Sequence, residues 1–577
     1  MDLVTPPRQL EAGRALYALN YECPVTGGFR RIDGYEQLGD EVPGEGPVLG
    51  VCTFADEHYA IRKDVGEDEA TLYRYDDGSW EVVAGGLHVG RYEFAEGNLY
   101  ATEGFRSLFF VGGGKPYQLM ADAPPPPSHA TLSELLASLL GTLPQLVSLT
   151  ADGDQLTITD DLGRAITDFE VFDFQNTSLL TEDDVPAGEE GTELVSDMSS
   201  LDYNDVGMLA FKVGSTQVEL TAPQAIPEFR EISDAMAGAK YIALHSGHLF
   251  LGFEPGSVQF SSIGDPANWN AATGSAGEIG VGQTITGLVN GRGGTLHIMC
   301  RDSVQTLYGT SAMNFELRVT IPKSGAKAYS TQALINPYYV AERGISNLEA
   351  SDQFGDFRPM QPGAAIEPVF AQQGYADRIN CSQVSKRLAQ YRVFFDDGLG
   401  VYLSPAGITL VQYPDVPIVA HGGELDSGEE VLLFGTDDGL VMMQGGGTFN
   451  GEIIPAFLTL AYNDLGRPAM RKRFRRVFWD IRSGSGATIR VTPDFDFGNV
   501  EAGRHGTRFL QFLLGGGLWG IDKWGEFAWS TPVQTQDSLD IAGTGTSINF
   551  AIYSEAEEPH ELLGYDLVLT LRRVRRG

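Results

Sequence analysis

The sequence predicts a mainly β protein, with a β-propeller core, an inserted α+β domain and a C-terminal β-rich platform domain. Three observations predict it. Short apolar runs recur around glycine turns through most of the chain, one segment in the first half departs sharply in charge, and the last stretch returns to balanced charge with alternating apolar residues. The repeated unit reads apolar run, turn, apolar run. Leu72-Tyr73-Arg74-Tyr75, Asp76-Asp77-Gly78 and Ser79-Trp80-Glu81-Val82-Val83 form one unit. Tyr391 to Phe395, Asp396-Asp397-Gly398 and Leu399 to Leu403 form a second, and Val431 to Thr436, Asp437-Asp438-Gly439 and Leu440 to Met443 a third. Asp-Gly supplies the positive φ angles of a tight turn, and the flanking aromatic and β-branched residues suit strands. Similar units surround Gly97, Gly247 and Gly294. Roughly six to eight units are expected, within the range of propellers, where radial repetition protects sheet edges.

Residues 1–120 are assigned to an N-terminal segment and the first blades. Pro124 to Pro127 mark a stiff break, after which Leu132, Leu135, Leu136, Leu139 and Leu140 have helical spacing. Gln155-Leu156-Thr157-Ile158-Thr159 and Phe169-Glu170-Val171-Phe172 read as strands. Residues 121–225 hold 19 acidic side chains and two basic ones, Arg164 and Lys212, and are read as the inserted domain. Within it, Thr181 to Asp205 is acidic and polar enough to predict a loop. Residues 226–450 carry the remaining blades. Residues 451–577 carry 15 acidic and 15 basic side chains and are assigned to the platform.

The formal charge is −37. A simple nucleic-acid binder needs the opposite balance, because lysine and arginine must neutralise phosphates. Two uses of this charge fit: a solvated surface that aids solubility, or a surface that guides DNA while repelling it. Cys23, Cys52, Cys300 and Cys381 form no close pair in sequence and are expected to be free thiols from a reducing compartment. The N-terminus has no basic region followed by an apolar run, so no signal peptide is expected. No apolar stretch reaches the ~18 residues of a membrane span.

The sites that carry chemistry are few. His245 and His248 flank a turn and have no third ligand nearby in sequence, so they are read as surface residues rather than metal ligands. Asp76-Asp77-Gly78-Ser79-Trp80 loosely matches the Asp-box of propeller sialidases, itself a turn device. Gly280-Val281-Gly282-Gln283-Thr284 lacks the lysine and helix of a phosphate loop. Gly291-Arg292-Gly293-Gly294 is read as a hairpin turn. Asp494-Phe495-Asp496-Phe497-Gly498 begins like a calcium loop, but His505 stands where the bidentate glutamate belongs. No catalytic residue, cofactor or metal is therefore assigned. The stronger signals are two basic knots, Arg471, Lys472, Arg473, Arg475 and Arg476, then Arg572, Arg573, Arg575 and Arg576. They are either the solvated face of a strand or a docking surface for an acidic neighbouring subunit or adaptor.

An ordered set of landmarks adds a family. Ser261-Ser262-Ile263-Gly264-Asp265-Pro266-Ala267-Asn268-Trp269 is followed by Gln283 to Leu288, by Thr295 to Gly309, and by Gly344-Ile345-Ser346-Asn347-Leu348 with Phe354-Gly355-Asp356. Gly27-Gly28-Phe29-Arg30-Arg31-Ile32-Asp33-Gly34-Tyr35-Glu36 precedes them, and Gly466-Arg467-Pro468 with Lys472-Arg473 follows. In that order the chain resembles the tail nozzle proteins of short-tailed bacteriophages, also called tail tubular or packaged-DNA stabilisation proteins. The match is best over about Lys240 to Phe370, and the acidic insertion lies outside it. The resemblance implies a virion structural part rather than an enzyme, synthesised in the host cytoplasm. It implies a hexameric ring below a tail adaptor protein and the portal, with tail fibre or spike proteins as outer partners. Packaged double-stranded DNA would pass along the ring axis without sequence recognition. Six copies would carry about −220 formal charges. The alternative is a carbohydrate-active or receptor-binding propeller of the tail. A surface-binding propeller is a third reading, weakened by the missing export signal.

Overall fold

The computed structural model describes residues 1–99, 106–121, 131–139, 143–173, 178–180, 193–203, 206–221, 229–272, 275–350, 357–483, 487–497, 508–512, 533–557 and 559–572. They are organised in two compact units, Met1–Leu119 with Glu231–Gly577, and Met120–Arg230.

The first unit is built around a β-propeller. Its described residues form seven four-stranded antiparallel meanders, whose innermost strands are Glu45–Phe54, Glu93–Gly97, Ala239–His245, Ile285–Gly291, Gln332–Ala333, Ile379–Ser385 and Val419–Glu424. Each innermost strand packs on the next, and the seventh packs on the first, so the sheets close into a ring. The Asp-Gly units fall where the sequence places them. Asp77 and Gly78, at φ 39° and 96°, turn Glu69–Asp76 into Ser79–His88 in blade one. In the units of blades six and seven only the glycine, Gly398 or Gly439, takes a positive φ.

Blade seven is completed from the far end of the chain. Val419–Glu424, Glu430–Gly435 and Val441–Gln444 are followed in the sheet by Tyr35–Gln37, with Gln444 opposite Tyr35. Tyr35 fixes this closure. Its ring stacks on Phe449 at 4.9 Å and meets Phe434 edge-on, and its hydroxyl donates to Asp415 Oδ2 at 2.9 Å. Blade two is also discontinuous. Tyr117–Met120 and Phe229–Glu231 are adjacent in its sheet, and the second unit lies between them in sequence.

The described C-terminal strands belong to the first compact unit together with the propeller. Ala15–Leu19 pairs in parallel with Gly407–Gln412 of blade six and antiparallel with Ala456–Leu460. One nine-stranded sheet therefore runs from blade six to Arg508–Phe512. A second sheet orders Tyr21–Glu22, Phe29–Arg31, His560–Leu571, Lys472–Ser483 and Val533–Gly545. The two sheets share one core, in which Trp479 lies 5.2 Å from both Phe550 and Tyr565.

A buried polar chain ties the N-terminal hairpin to blades six and seven. Glu22 accepts from Arg30 at 2.5 Å and from Gln390 Nε2 at 2.7 Å. Gln390 Oε1 accepts from the fully buried Arg392, which also donates to Gln444 at 2.6 Å and stacks over Tyr402 at 4.3 Å.

The second unit has its own core. One sheet orders Val147–Asp152, Gln155–Asp160 and Glu193–Asp197, and the other orders Ser178–Leu180, Ile166–Asp173, Val206–Val213 and Thr216–Thr221. The helix Leu132–Ser138 starts at Thr131, which makes a reciprocal capping box with Glu134. It buries Leu132 and Leu135, while Leu140 lies outside the described residues. The expected loop over Thr181 to Asp205 is corrected in part. Glu193–Asp197 is a strand, because Leu194 and Ser196 alternate with exposed neighbours and pair with Ile158 and Leu156. Residues 181–192 and Pro124 to Pro127 lie outside the described residues.

Candidate functional site

Two places concentrate charge in the first unit: the propeller axis and one face of the C-terminal sandwich. The axis encloses a cavity of about 400 Å³, lined by residues from all seven innermost strands. Arg91 and Lys386 are the cations in its lining, and Arg91 is held by several partners. The guanidinium lies 3.8 Å over the Tyr329 ring and donates to the carbonyls of Asn380 and Ile418. Burial raises the Glu93 carboxyl above the usual range, and Arg91 partly offsets the rise. His421 keeps some of its surface open to the cavity, but burial and the nearby Lys386 push its imidazole down to about 4. At neutral pH that ring is uncharged. Cys52 and Cys381 are buried and unbridged, like Cys23 and Cys300, and burial raises their thiols away from reactivity. A cavity of this volume suits a small molecule, not a nucleic-acid duplex.

The sandwich face is built by the strand Lys472–Ser483. A β-bulge between Phe474 and Arg476 shifts its register against both neighbours. The bulge breaks the alternation, so Arg473, Arg475 and Arg476 are all exposed while Phe474 and Val477 are buried. Arg476 pairs with Asp540 at 2.6 Å. Among the described residues Arg473 and Arg475 form no ion pair. Arg471 and Arg572 are exposed and adjacent, the Arg572 N–H donating to the Arg471 carbonyl at 2.9 Å. Lys472 is different. It is buried, and its ammonium donates to the carbonyls of Arg467, Met470 and Thr546 at 2.8, 3.1 and 2.7 Å. It staples the strand and is not available for docking. Arg573, Arg575 and Arg576 lie outside the described residues.

The weaker motifs resolve into structure. His245 and His248 are buried, not surface residues: Nδ1 of His245 meets Asn290 Oδ1 at 3.1 Å, and Nδ1 of His248 meets the Ser261 carbonyl at 2.6 Å. The sequence missed this because their partners come from Ser261 and Asn290, outside the local turn. The Asp-box match is a hairpin, with Trp80 Nε1 donating to the Asp40 carbonyl at 2.9 Å. Asp496 is occupied by Thr546 and the Ser547 N–H, and Gly498 and His505 lie outside the described residues. Among the described residues no group of three histidine, cysteine or acidic side chains is placed to hold a metal ion. No described helix is long and apolar enough to cross a membrane.

No protein-family model matches the chain, and no curated protein does. Solved propellers are similar at low identity. Raptor of Chaetomium thermophilum matches over 72% of this chain and 30% of its own, at 9% identity and a TM-score of 0.36. The chain thus spans under a third of that protein. The WD40 β-propeller domain of Doa1 matches over 71% of this chain and 96% of its own, at 9% identity and a TM-score of 0.35. The computationally designed protein Ika8 matches over 71% and 99%, at 10% identity and a TM-score of 0.33.

Proposed function

We propose that this chain is a structural part of a bacteriophage tail, a nozzle subunit that assembles as a hexameric ring below an adaptor, holds the packaged genome and conducts it during ejection. The observation that carries the reading is the placement of the landmark residues. Ser261 to Trp269 is a self-bonded connection in blade three, with Ser262 N–H donating to the Asn268 carbonyl and Trp269 Nε1 to that of Pro266. Trp269 packs into the core shared by blades two and three. Thr295–Cys300 and Ser303–Tyr308 are the second and third strands of blade four. Phe354-Gly355-Asp356 lies outside the described residues. The described landmarks thus serve the framework, which suits a mechanical part.

Two further features support the reading. The sheet running from blade six into the sandwich makes propeller and C-terminal strands one body, as a load-bearing subunit needs. The axial cavity is too small for a duplex, so the genome would travel between copies, on the ring axis. Surplus carboxylates facing that lumen would repel phosphates and let DNA slide. Quantitative mass spectrometry of purified virions tests the proposal. A ratio near one copy to two of the portal protein is expected, for a hexamer under a twelve-fold portal. Absence from virions would overturn it, and cleavage of host polysaccharide by the purified chain would favour the carbohydrate-active alternative.

A further inference from the structure

We propose that the arginine face of the C-terminal sandwich is a subunit contact, and that its partner is the carboxylate face of the inserted unit of a second copy of this chain. The proposal rests on the ring reading and names the surfaces that would join its members.

The arginine face is the solvent side of a three-strand stretch with Lys472–Ser483 at its centre. Arg473 stands opposite Thr544 and Thr570, and Arg476 opposite Asp540 and Val568. Val568 is 45% exposed, an apolar spot beside the cations. Arg473 and Arg475 bring charge that this chain's described carboxylates leave unmatched.

The inserted unit has a face of the opposite kind. On the sheet Val147–Asp152, Gln155–Asp160 and Glu193–Asp197, one side is turned inward by Leu156 and Ile158. The other is exposed. Asp152, Gln155 and Asp197 lie in one row across the three strands, and Glu193 stands opposite Thr159 further along the same side. Val195, 37% exposed, sits between Glu193 and Asp197 on that side. Among the described residues of these three strands no cation shares the face. The two basic residues of 121–225 are engaged elsewhere, Arg164 with Asp160 at 2.7 Å and Lys212 with Asp168 at 2.6 Å. Among the described residues each of the two is an exposed sheet face carrying an exposed valine, and the two differ in sign.

Guanidinium forks bind carboxylates in pairs of parallel hydrogen bonds, so three arginines meeting three acids give register as well as attraction. A contact between different surfaces of identical chains is head-to-tail, the kind that closes rings. DNA is the weaker occupant for the arginine face. Asp540 and Asp566 share it, and the chain's charge of −37 opposes the approach of phosphates.

Sedimentation velocity on the full chain tests the pairing. One variant carries Arg473→Glu, Arg475→Glu and Arg476→Glu. The other carries Asp152→Lys, Glu193→Lys and Asp197→Lys. The wild type is expected to sediment as an oligomer at low salt and to shift towards monomer as sodium chloride rises. Each variant alone is expected to be monomeric, and an equal mixture to regain the oligomer, because each mutated face then meets its complement. Circular dichroism establishes that each variant is folded, and alanine at the same six positions replaces any reversal that is not. A monomeric wild type, or a mixture that stays monomeric, overturns the proposal. So does rescue only when all six changes are on one chain, which would mark a contact within the chain. Binding of a short DNA duplex that the arginine variant loses would also overturn it. If the mixture fails while virions still hold one copy per two portals, the pairing falls and the ring reading stands.

Discussion

At the propeller axis Arg91 has two carbonyls, a tyrosine ring and Glu93 around it, whereas on the sandwich face Arg476 pairs with Asp540 and, among the described residues, Arg473 and Arg475 form no ion pair. The same contrast separates neighbours in sequence. Lys472 is enclosed by three carbonyls, and Arg473 beside it faces solvent. Inside the fold a charge persists only where hydrogen bonds replace water. Outside it, charge without partners is inexpensive and remains available to a neighbour. Charges inside should therefore govern stability and charges on the face should govern association.

The largest break in that contrast comes from Glu22. Glu22→Ala leaves Gln390 without its buried acceptor and Arg30 with Asp33 as its remaining carboxylate, and is expected to destabilise the first unit by about 2–4 kcal/mol, read by chemical denaturation. A loss under 1 kcal/mol would show that the polar chain through Arg392 is incidental. Lys472→Met should cost less, about 1–3 kcal/mol, because it removes the donor to three carbonyls while keeping the buried stem. Should Lys472 instead affect assembly and leave stability unchanged, its placement inside the fold would be refuted.

The third effect depends on pH. His421 and His297 are held down to about 4 by burial, against the 6.5 of an ordinary imidazole. The unfolded chain therefore binds protons that the folded chain refuses, so stability is full above pH 6.5 and falls as pH drops towards about 4. His421→Asn should flatten part of that slope in thermal melts at a series of pH values. An unchanged slope would mean the ring is not held neutral. The smallest effect is expected from Arg473→Ala with Arg475→Ala, within about 0.5 kcal/mol of the wild type in denaturation. Together with loss of the oligomer, that result would sharpen the division between inner and outer charge.

Much of the propeller was legible because its signals are local. Asp77-Gly78 sets a hairpin from within four residues, and Leu132 and Leu135 mark a helix from their spacing. What escaped depends on distant pairing. Tyr35–Gln37 completes a sheet whose other strands begin at Val419, and Ala15–Leu19 bridges blade six to the sandwich. Neither connection leaves a pattern in nearby residues. The basic knot was visible as composition, but its division into one buried lysine and four exposed arginines was not. A bulge near Arg475 changes the face of every later residue, and the bulge follows from strands Val533–Gly545 and His560–Leu571. For the histidines the misleading cue was Gly247 itself, since a glycine turn between two strands reads as surface even where aromatic rings enclose it. Phe250, Phe260 and Phe315 surround His248 at 5.4–6.2 Å.

The central claim is that this chain forms the tail ring through which a genome passes, and a three-dimensional reconstruction of the intact tail tests it most directly. The account predicts six copies of a seven-bladed propeller around one axis, with the genome on the shared axis and no DNA in any propeller's own cavity. A tail without these propellers, or with DNA threaded through a single one, would contradict it.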